Sequence, residues 1–409
     1  MKKIINFAFY DFANSAFTTI IITFIFSTYF AKQIAPNPIL GQSYWGWTIG
    51  LTGIAVALVG PYLGNFADKK NLSVTLLRLF TMLCIFFTCI LWFAKPSIDY
   101  LMLTIIIVAL ANFFYEISLI FYNSILKNIT DNKNLGKSSG FGFGFGYLGG
   151  IIILFICIKL FIDTDYPLFG ISKENFENIR ATSFVVALWY LIFSLPFLFF
   201  CKISIDSSYR KNKTLKIKDL VWNNGINNLG KFLIARMLYA DGLNAIIVMG
   251  GIFAVGVFNL EMKDLLILSV LMNITAFIGS LVGGFLNDKY NSKKIIIFSL
   301  IGLILSSAII LSVEKKILFL IFASINGFFI GPIQSASRVF ITKNLNSSNQ
   351  SSGFGLFALS GKLTSFIGPL LVSSITFIFN SQRIGFSSAL ILLILGLIIL
   401  LKVKDDIYS

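Results

Sequence analysis

Three carboxylic acids stand inside apolar sequence in this chain: Asp11, Glu116 and Asp241. Each has a side-chain amide three or four residues away: Asn14 after Asp11, Asn112 before Glu116 and Asn244 after Asp241. That spacing puts acid and amide on one face of a helix. A charged acid near the centre of a bilayer costs roughly 2.5–3.5 kcal/mol, so it faces a wet cavity, pairs with a cation or stays protonated. Each option suits binding of a polar solute or carriage of a proton. The alternative is a structural hydrogen bond between helices or, for Asp11 near the start of its span, reach to interfacial water. Lys362, deep in its span, is expected to pair with a buried acid or to hold a solute carboxylate; snorkelling would have to cover more than two helical turns. Arg236 is shallower and within reach of headgroups, and Arg338, ending its span, is expected on the cytoplasmic side. Tyr239, close to Asp241, and Gln334, close to Ser335 and Ser337, add polar surface to their spans.

The elements that must position these residues are membrane helices. Hydrophobic residues make up 56% of the chain and charged ones 12%, against roughly 25% charged in globular domains. Apolar runs of about 20 residues, the length needed to cross the hydrocarbon core, recur throughout. In lipid only helices and closed barrels satisfy their own backbone, and segments such as 101–110 and 390–401 lack the alternation of barrel strands. Twelve spans are expected near 7–31, 44–66, 74–95, 99–122, 139–161, 181–201, 231–258, 264–286, 294–313, 316–337, 353–379 and 384–402. The fold class is therefore an all-α integral membrane protein of two pseudo-symmetric six-helix bundles. Residues 1–201 form the first bundle, 202–229 a lysine-rich cytoplasmic linker whose 215–222 portion suits a short surface helix, and 230–409 the second bundle. Lys and Arg gather at the ends that would be cytoplasmic if both termini are inside, as the positive-inside rule requires. The net charge of +15 is thus a topology signal and an attraction to anionic lipid. Its scatter over many loops argues against nucleic acid. The start resembles a secretory signal, but Asp11 and Asn14 interrupt the apolar region, so an uncleaved first span is expected.

The halves repeat each other in three places, in the same order. Tyr10-Asp11 with Asn14-Ser15-Ala16 is echoed by Tyr239 and Asp241 with Asn244-Ala245. Gly64-Asn65-Phe66-Ala67-Asp68-Lys69 is echoed by Gly284-Phe285-Leu286-Asn287-Asp288-Lys289. Ser138-Ser139-Gly140-Phe141-Gly142 returns as Ser351-Ser352-Gly353-Phe354-Gly355. Duplicated polytopic proteins with matching polar sites are most often transporters. In the Gly-x-x-x-Asp-Lys loops the acid is expected near the start of the following helix, where the dipole favours an anion. A tight joint of this kind suits a gate, so Gly64, Asp68, Lys69, Gly284, Asp288 and Lys289 are gating candidates. The glycines 142, 146 and 150 read as a ridge for close helix packing, not as a dinucleotide fingerprint.

The first of these loops resembles the signature loop after helix two of the major facilitator superfamily, with Asp68 at the acid and Lys69 at the first base. Asn71 stands where the signature has its turn glycine, Leu72-Ser73 replace its Arg-Lys pair, and Asn291 replaces the glycine in the second copy. Asn suits a left-handed turn. Tyr10-Asp11-Phe12-Ala13-Asn14-Ser15-Ala16-Phe17, Tyr239-Ala240-Asp241-Gly242 and the block from Phe354 to Lys362 resemble the vacuole-effluxer branch of that superfamily. That branch includes fungal autophagy-related permeases that release amino acids from the vacuole, and bacterial relatives. The resemblance implies a rocker-switch fold in which helices one, four, seven and ten line the cavity. It would place Asp11, Glu116, Asp241 and Gln334 there.

The sequence therefore points to a secondary transporter of a small polar solute, amino acids first, coupled to protons and lying in a bacterial inner membrane with cytoplasmic termini. Asp11, Asn14, Asn112, Glu116, Tyr239, Asp241, Asn244, Gln334 and Lys362 are the candidates for solute or proton binding. A drug or metabolite exporter of the same fold, or a transporter-derived sensor without flux, remains open. An enzyme is disfavoured, because the longest loop carries no acid or metal-ligand cluster. With no histidine and no cysteine cluster, no metal or cofactor is expected. Cys84, Cys89, Cys157 and Cys201 lie in or beside spans and suggest no disulfide framework. Many proteins of this architecture work as monomers, an analogy that makes a monomer plausible and leaves the oligomeric state open.

Overall fold

In lipid, a helix that satisfies its own backbone still needs small residues and hydrogen bonds to hold its neighbours, because the tails are as apolar as its side chains. The computed structural model describes residues 2–200, 216–223 and 225–405. Among them are twelve helices long and apolar enough to cross a membrane. They are α1 (Lys2–Ile34), α2 (Pro38–Lys70), α3 (Ser73–Phe93), α4 (Ile98–Ser124), α5 (Asn132–Ile162) and α6 (Glu174–Phe200). After the connector come α7 (Asn228–Phe258), α8 (Lys263–Tyr290), α9 (Ser292–Ser312), α10 (Lys316–Lys343), α11 (Ser347–Phe379) and α12 (Gln382–Leu401). Much of the expected linker, with Leu215 and Cys201, lies outside the described residues; a short helix, Ile217–Val221, occupies its later part.

Both termini emerge at one end of the bundle, called here the terminal end. There the halves meet along two seams, α2 against α11 and α5 against α8, with α10 also on α5. Glycine permits these seams. A Cβ at Gly64 would overlap the Ser351 carbonyl, and one at Gly140 the Ser280 carbonyl. The ridge of Gly142, Gly146 and Gly150 faces α1, while Gly136, Gly140 and Gly144 on the other side of α5 face α8. At the far end, Gly46 and Gly50 of α2 and Gly250 and Gly251 of α7 face open space. The halves are thus joined at the terminal end, while these far-end glycines meet no neighbouring atom.

Two departures from regular helix bear on the embedded polar groups. In α1, wide π turns at Phe17–Phe24 and Phe30–Ile34 follow the regular Lys2–Ala16 stretch. Because α1 begins at Lys2, Asp11 lies about two and a half turns into it, deeper than the sequence suggested. The eleventh span, expected to be continuous over 353–379, is broken: one helix runs Gln350–Lys362, another Ile367–Phe379, with turns between. Pro369 supplies a reason, since it has no N–H to offer the Ser365 carbonyl one turn back. That carbonyl instead accepts from the Asn244 side chain at 2.6 Å.

Asn71 closes α2 in the left-handed region at φ 54° and ψ 41°, as a substitute for the turn glycine must. Asn291 also takes a positive φ but with ψ 159°, and its side chain caps the Lys294 N–H at 3.0 Å. Asn71→Gly should leave the melting temperature in detergent unchanged or raised. Asn71→Val should lower it, by a destabilisation of about 1 kcal/mol, because a β-branched side chain is a steric outlier in that region and lacks the short polar group that lets Asn adopt it.

Candidate functional site

The first embedded acid is tied across the two halves. Asp11 Oδ2 lies 3.3 Å from Arg338 Nη1 and accepts a hydrogen bond from the Tyr122 hydroxyl at 2.8 Å. Asn14 donates to Oδ1 at 3.2 Å. Arg338 uses its other donors on α4 and α5: Nη1 to Asn123 Oδ1 at 3.0 Å, Nε to Ser139 Oγ at 2.8 Å and Nη2 to the Ser139 carbonyl at 2.7 Å. Its guanidinium also lies over the Phe143 ring, 4.3 Å from the centroid. Gly142 makes the space, because a Cβ there would meet both Asp11 Oδ2 and Arg338 Nη2. The expectation that Arg338 projects into the cytoplasm is therefore wrong: the residue is 1% exposed and joins α10 to α1, α4 and α5. A buried pair persists only with its remaining hydrogen-bonding groups satisfied, and removing one partner costs about 3–5 kcal/mol.

The second acid is also paired across the halves. Lys362 Nζ, at the end of the first part of α11, donates to Glu116 Oε1 of α4 at 2.7 Å. The Lys362 side chain keeps 37% of its exposure and so borders open space, whereas Arg338 keeps 2%; the two acids are nearly alike at 15% and 12%. Asn112 is buried on α4, one turn before Glu116. A further bond joins the halves where Tyr147 of α5 donates to Gln334 Oε1 of α10 at 3.1 Å.

The third acid is placed differently. Asp241 is 3% exposed between α7 and the break in α11, and among the described residues it forms no ion pair. Asn244, expected as its amide neighbour, bonds the Ser365 carbonyl instead. Tyr239 shares a hydrogen bond of 2.8 Å with Ser337 of α10. Arg236 turns inward, contrary to the headgroup reading, donating to the Phe357 carbonyl at 2.5 Å and to Ser360 Oγ at 2.7 Å.

The gating candidates come together with a swap the sequence could not disclose. Asp68 lies in the last turn of α2, not at the start of the next helix, where its own helix dipole disfavours an anion. Its carboxylate reaches the opposite half, accepting from the backbone N–H of Ser351 at 3.0 Å and of Ser352 at 2.7 Å. Asp288, in the last turn of α8, accepts from Gly136 N–H at 2.6 Å and Lys137 N–H at 2.9 Å on α5. Both acids take the second and third N–H groups of a helix whose cap residue is an Asn, Asn349 or Asn134. These are donors that a helix leaves unpaired. Gly64 and Gly284 bring the helices into range. Lys69 and Lys289 are exposed and stand apart from these bonds. Sequence reasoning did not select Tyr122, Asn123, Ser139 or Arg338 as site residues; the one signal was an arginine on a helix already bearing Gln334, Ser335 and Ser337.

A family profile described as "Vacuole effluxer Atg22 like" matches residues 129–406. The chain is 25% identical to an uncharacterised MFS-type transporter, YxiO, of Bacillus subtilis, over 98% of this chain and 94% of that one. It is 24% identical to autophagy-related protein 22-1 of Aspergillus fumigatus, over 68% of this chain and 50% of the fungal protein. Among solved structures it resembles the major facilitator superfamily proton:xylose symporter XylE, with TM-score 0.78 and 11% identity, covering 99% and 96% of the two chains. A bacterial homologue of the iron transporter ferroportin in an outward-facing state matches with TM-score 0.74 and 12% identity, over 98% of each chain. At such identities these two structures speak for the fold.

The paired caps predict how the terminal end opens. With the native cysteines replaced and Ser335→Cys as a buried reporter, Asp68→Ala and Asp288→Ala should each raise its labelling by an impermeant maleimide added at the terminal end. A lost cap of about 1 kcal/mol corresponds to roughly fivefold in each case. Unchanged labelling in the double variant would show that the caps do not hold this end shut.

Proposed function

This chain belongs to the Atg22-like vacuole-effluxer family of the major facilitator superfamily, and from that premise we propose that it carries amino acids by rocker-switch alternating access, driven by an inward proton gradient. The observation that carries the solute reading is the Glu116–Lys362 pair. Two opposite charges 2.7 Å apart join opposite halves, with Lys362 bordering open space and Glu116 partly exposed behind it. An amino-acid zwitterion presents the same two charges. Its ammonium would take the place of Lys362 at Glu116, and its carboxylate that of Glu116 at Lys362. Entry from the far end thus replaces a bond between the halves with two bonds to solute, which keeps both charges compensated while the halves move.

The remaining contacts have roles in the same cycle. Asp11–Arg338 and the caps at Asp68 and Asp288 close the terminal end and must part for solute to leave there. Gln334 with Tyr147, and Tyr239 with Ser337, lie on the helices facing the pathway and orient it. Asn14 and Asn112 support the acids on their own helices. The basic loops favour termini in the cytoplasm, so the closed end faces the cytoplasm and the protein lies in the inner membrane of a bacterium, facing outward in the arrangement described.

The direct test is uptake of a labelled amino-acid mixture by the purified protein in liposomes, with and without an inward proton gradient. Gradient-driven uptake is expected. Glu116→Gln and Lys362→Ala should each lower it by more than about tenfold, since truncating one partner of a hydrogen-bonded charge pair costs about 2–5 kcal/mol. No uptake under either condition, with insertion verified, would sink amino acids as the solute and put export of a drug or metabolite ahead.

A further inference from the structure

Two of the three embedded acids have counter-charges; the third does not. Asp11 has Arg338 and Glu116 has Lys362. Asp241 Oδ1 is buried without a hydrogen-bond partner, and the side chain acting most directly on its carboxylate is Thr364, whose hydroxyl is placed to hydrogen-bond it. Both residues are more than nine-tenths buried, at 3% and 6% exposure. A single orphaned oxygen is a packing accident in many proteins. An orphaned oxygen on a carboxylate in an apolar bundle, with no paired cation among the described residues, instead leaves a position that wants a positive charge.

The backbone around them is built for the same purpose. Thr364 lies in the break of α11, where the chain turns between Lys362 and Ile367. The second part of α11 is pressed onto Asp241 at Gly368, where a Cβ would overlap the Asp241 carbonyl. Asn244 anchors the break through the Ser365 carbonyl. Broken helices with unwound backbone are where transporters commonly seat coupling ions.

The neighbouring charges are engaged elsewhere. Arg236, on the same helix, acts on Asp241 from a distance but directs its donors to Phe357 and Ser360 of α11. Tyr239 is bonded to Ser337 of α10. Lys362, two residues before Thr364, is held by Glu116 of α4. From α12, the atoms nearest a Cβ at Gly242 belong to Leu393 and the Ala389 backbone.

We propose that Asp241 and Thr364, at the break in α11, form a site for a single monovalent cation, the coupling ion of this transporter. A proton would sit on Asp241 Oδ1 and be donated to Thr364 Oγ1; Na+ would be bound by both oxygens together. In either case the ion neutralises the one embedded carboxylate that lacks a cation. The proposal rests on the transport reading only in calling the ion a coupling ion, since the site itself is testable without solute or flux.

The test is the thermal stability of the purified protein in detergent, without solute. Its melting temperature is followed against pH in choline chloride, then against Na+ replacing choline at constant ionic strength and pH 8. A pH response in the wild type that Asp241→Asn loses upholds the site with a proton as its ion. A sodium response lost in Asp241→Asn, with half-saturation raised about fivefold in Thr364→Val for one missing neutral ligand, upholds it with sodium and replaces the proton as coupling ion. In both cases Thr364→Ser, which keeps the hydroxyl, should behave as the wild type. If Asp241→Asn retains the wild-type responses, or the wild type responds to neither ion, the site is overturned whether or not amino acids are carried.

Discussion

A helix N-terminus buried in a protein interface must find acceptors for its first N–H groups, because neither lipid nor packed side chains can supply them. Here two such termini, those of α5 and α11, begin inside the seam between the halves, and neither is satisfied by its own half. Asp68 serves α11 and Asp288 serves α5, so each half completes a helix of the other. The exchange explains several features at once. The acids sit in the last turn of their own helices, an unfavourable place that only a partner dipole offsets. The glycines a turn before them, Gly64 and Gly284, are there because a side chain would hold the partner backbone away. The Gly-x-x-x-Asp-Lys loop of each half thus meets the start of a helix of the other: Asp68 takes the N–H groups of the second Ser-Ser pair, and Asp288 those of Gly136 and Lys137, just before the first.

That symmetry is confined to the seams. Toward the middle of the bundle the halves carry different charges. The first contributes Asp11 and Glu116; the second contributes Arg338, Lys362 and Arg236, with Asp241 its one embedded acid. Opposite charges therefore face each other across the division, and the ion pairs form between halves. A duplicated scaffold closes symmetrically at its edge and binds asymmetrically at its centre. The tyrosine and acid near the start of each half show the divergence. Tyr10 is fixed inside its own bundle by Thr81, Ser118 and Tyr190, while Asp11 reaches the opposite half. Tyr239 is likewise fixed within its own half, but Asp241 reaches no cation.

What was legible in the sequence was what local physics determines. Span number follows from run length, embedded acids from their surroundings, and the left-handed turn at Asn71 from the absence of its glycine. The carboxylate at a helix dipole was anticipated for the wrong helix, since only assembly reveals that the N-terminus in question lies in the other half. Arg338 was misread for a related reason. An arginine at the end of an apolar run normally reaches water, and its acid is far away in the chain. The break in α11 had a signal in Pro369, but its consequence, a carbonyl taken by Asn244 from another helix, is again a matter of assembly. Local chemistry could be read residue by residue; partnerships between halves could not.

The contacts that close the terminal end are strong singly but have a common property that lets them open. Each joins groups that water can solvate. When the halves part, the freed N–H groups, carboxylates and cations become hydrated, so the net loss per hydrogen bond is about 0.5–1.5 kcal/mol, not the cost of an orphaned buried group. The closed and open arrangements can then differ by only a few kcal/mol, within reach of a solute that binds one of them about a hundredfold to a thousandfold more tightly, a bias of about 3–4 kcal/mol. Asp241 does not share that property. It lies between α7 and α11 of a single half, so parting the halves does not by itself hydrate it. Its surroundings change only if the break in α11 changes. The first part of α11 is packed on α2, and the second part on α7 and α12. Motion at the seam therefore reaches Asp241 through the joint between them, which is how a buried charge can register which end of the molecule is open.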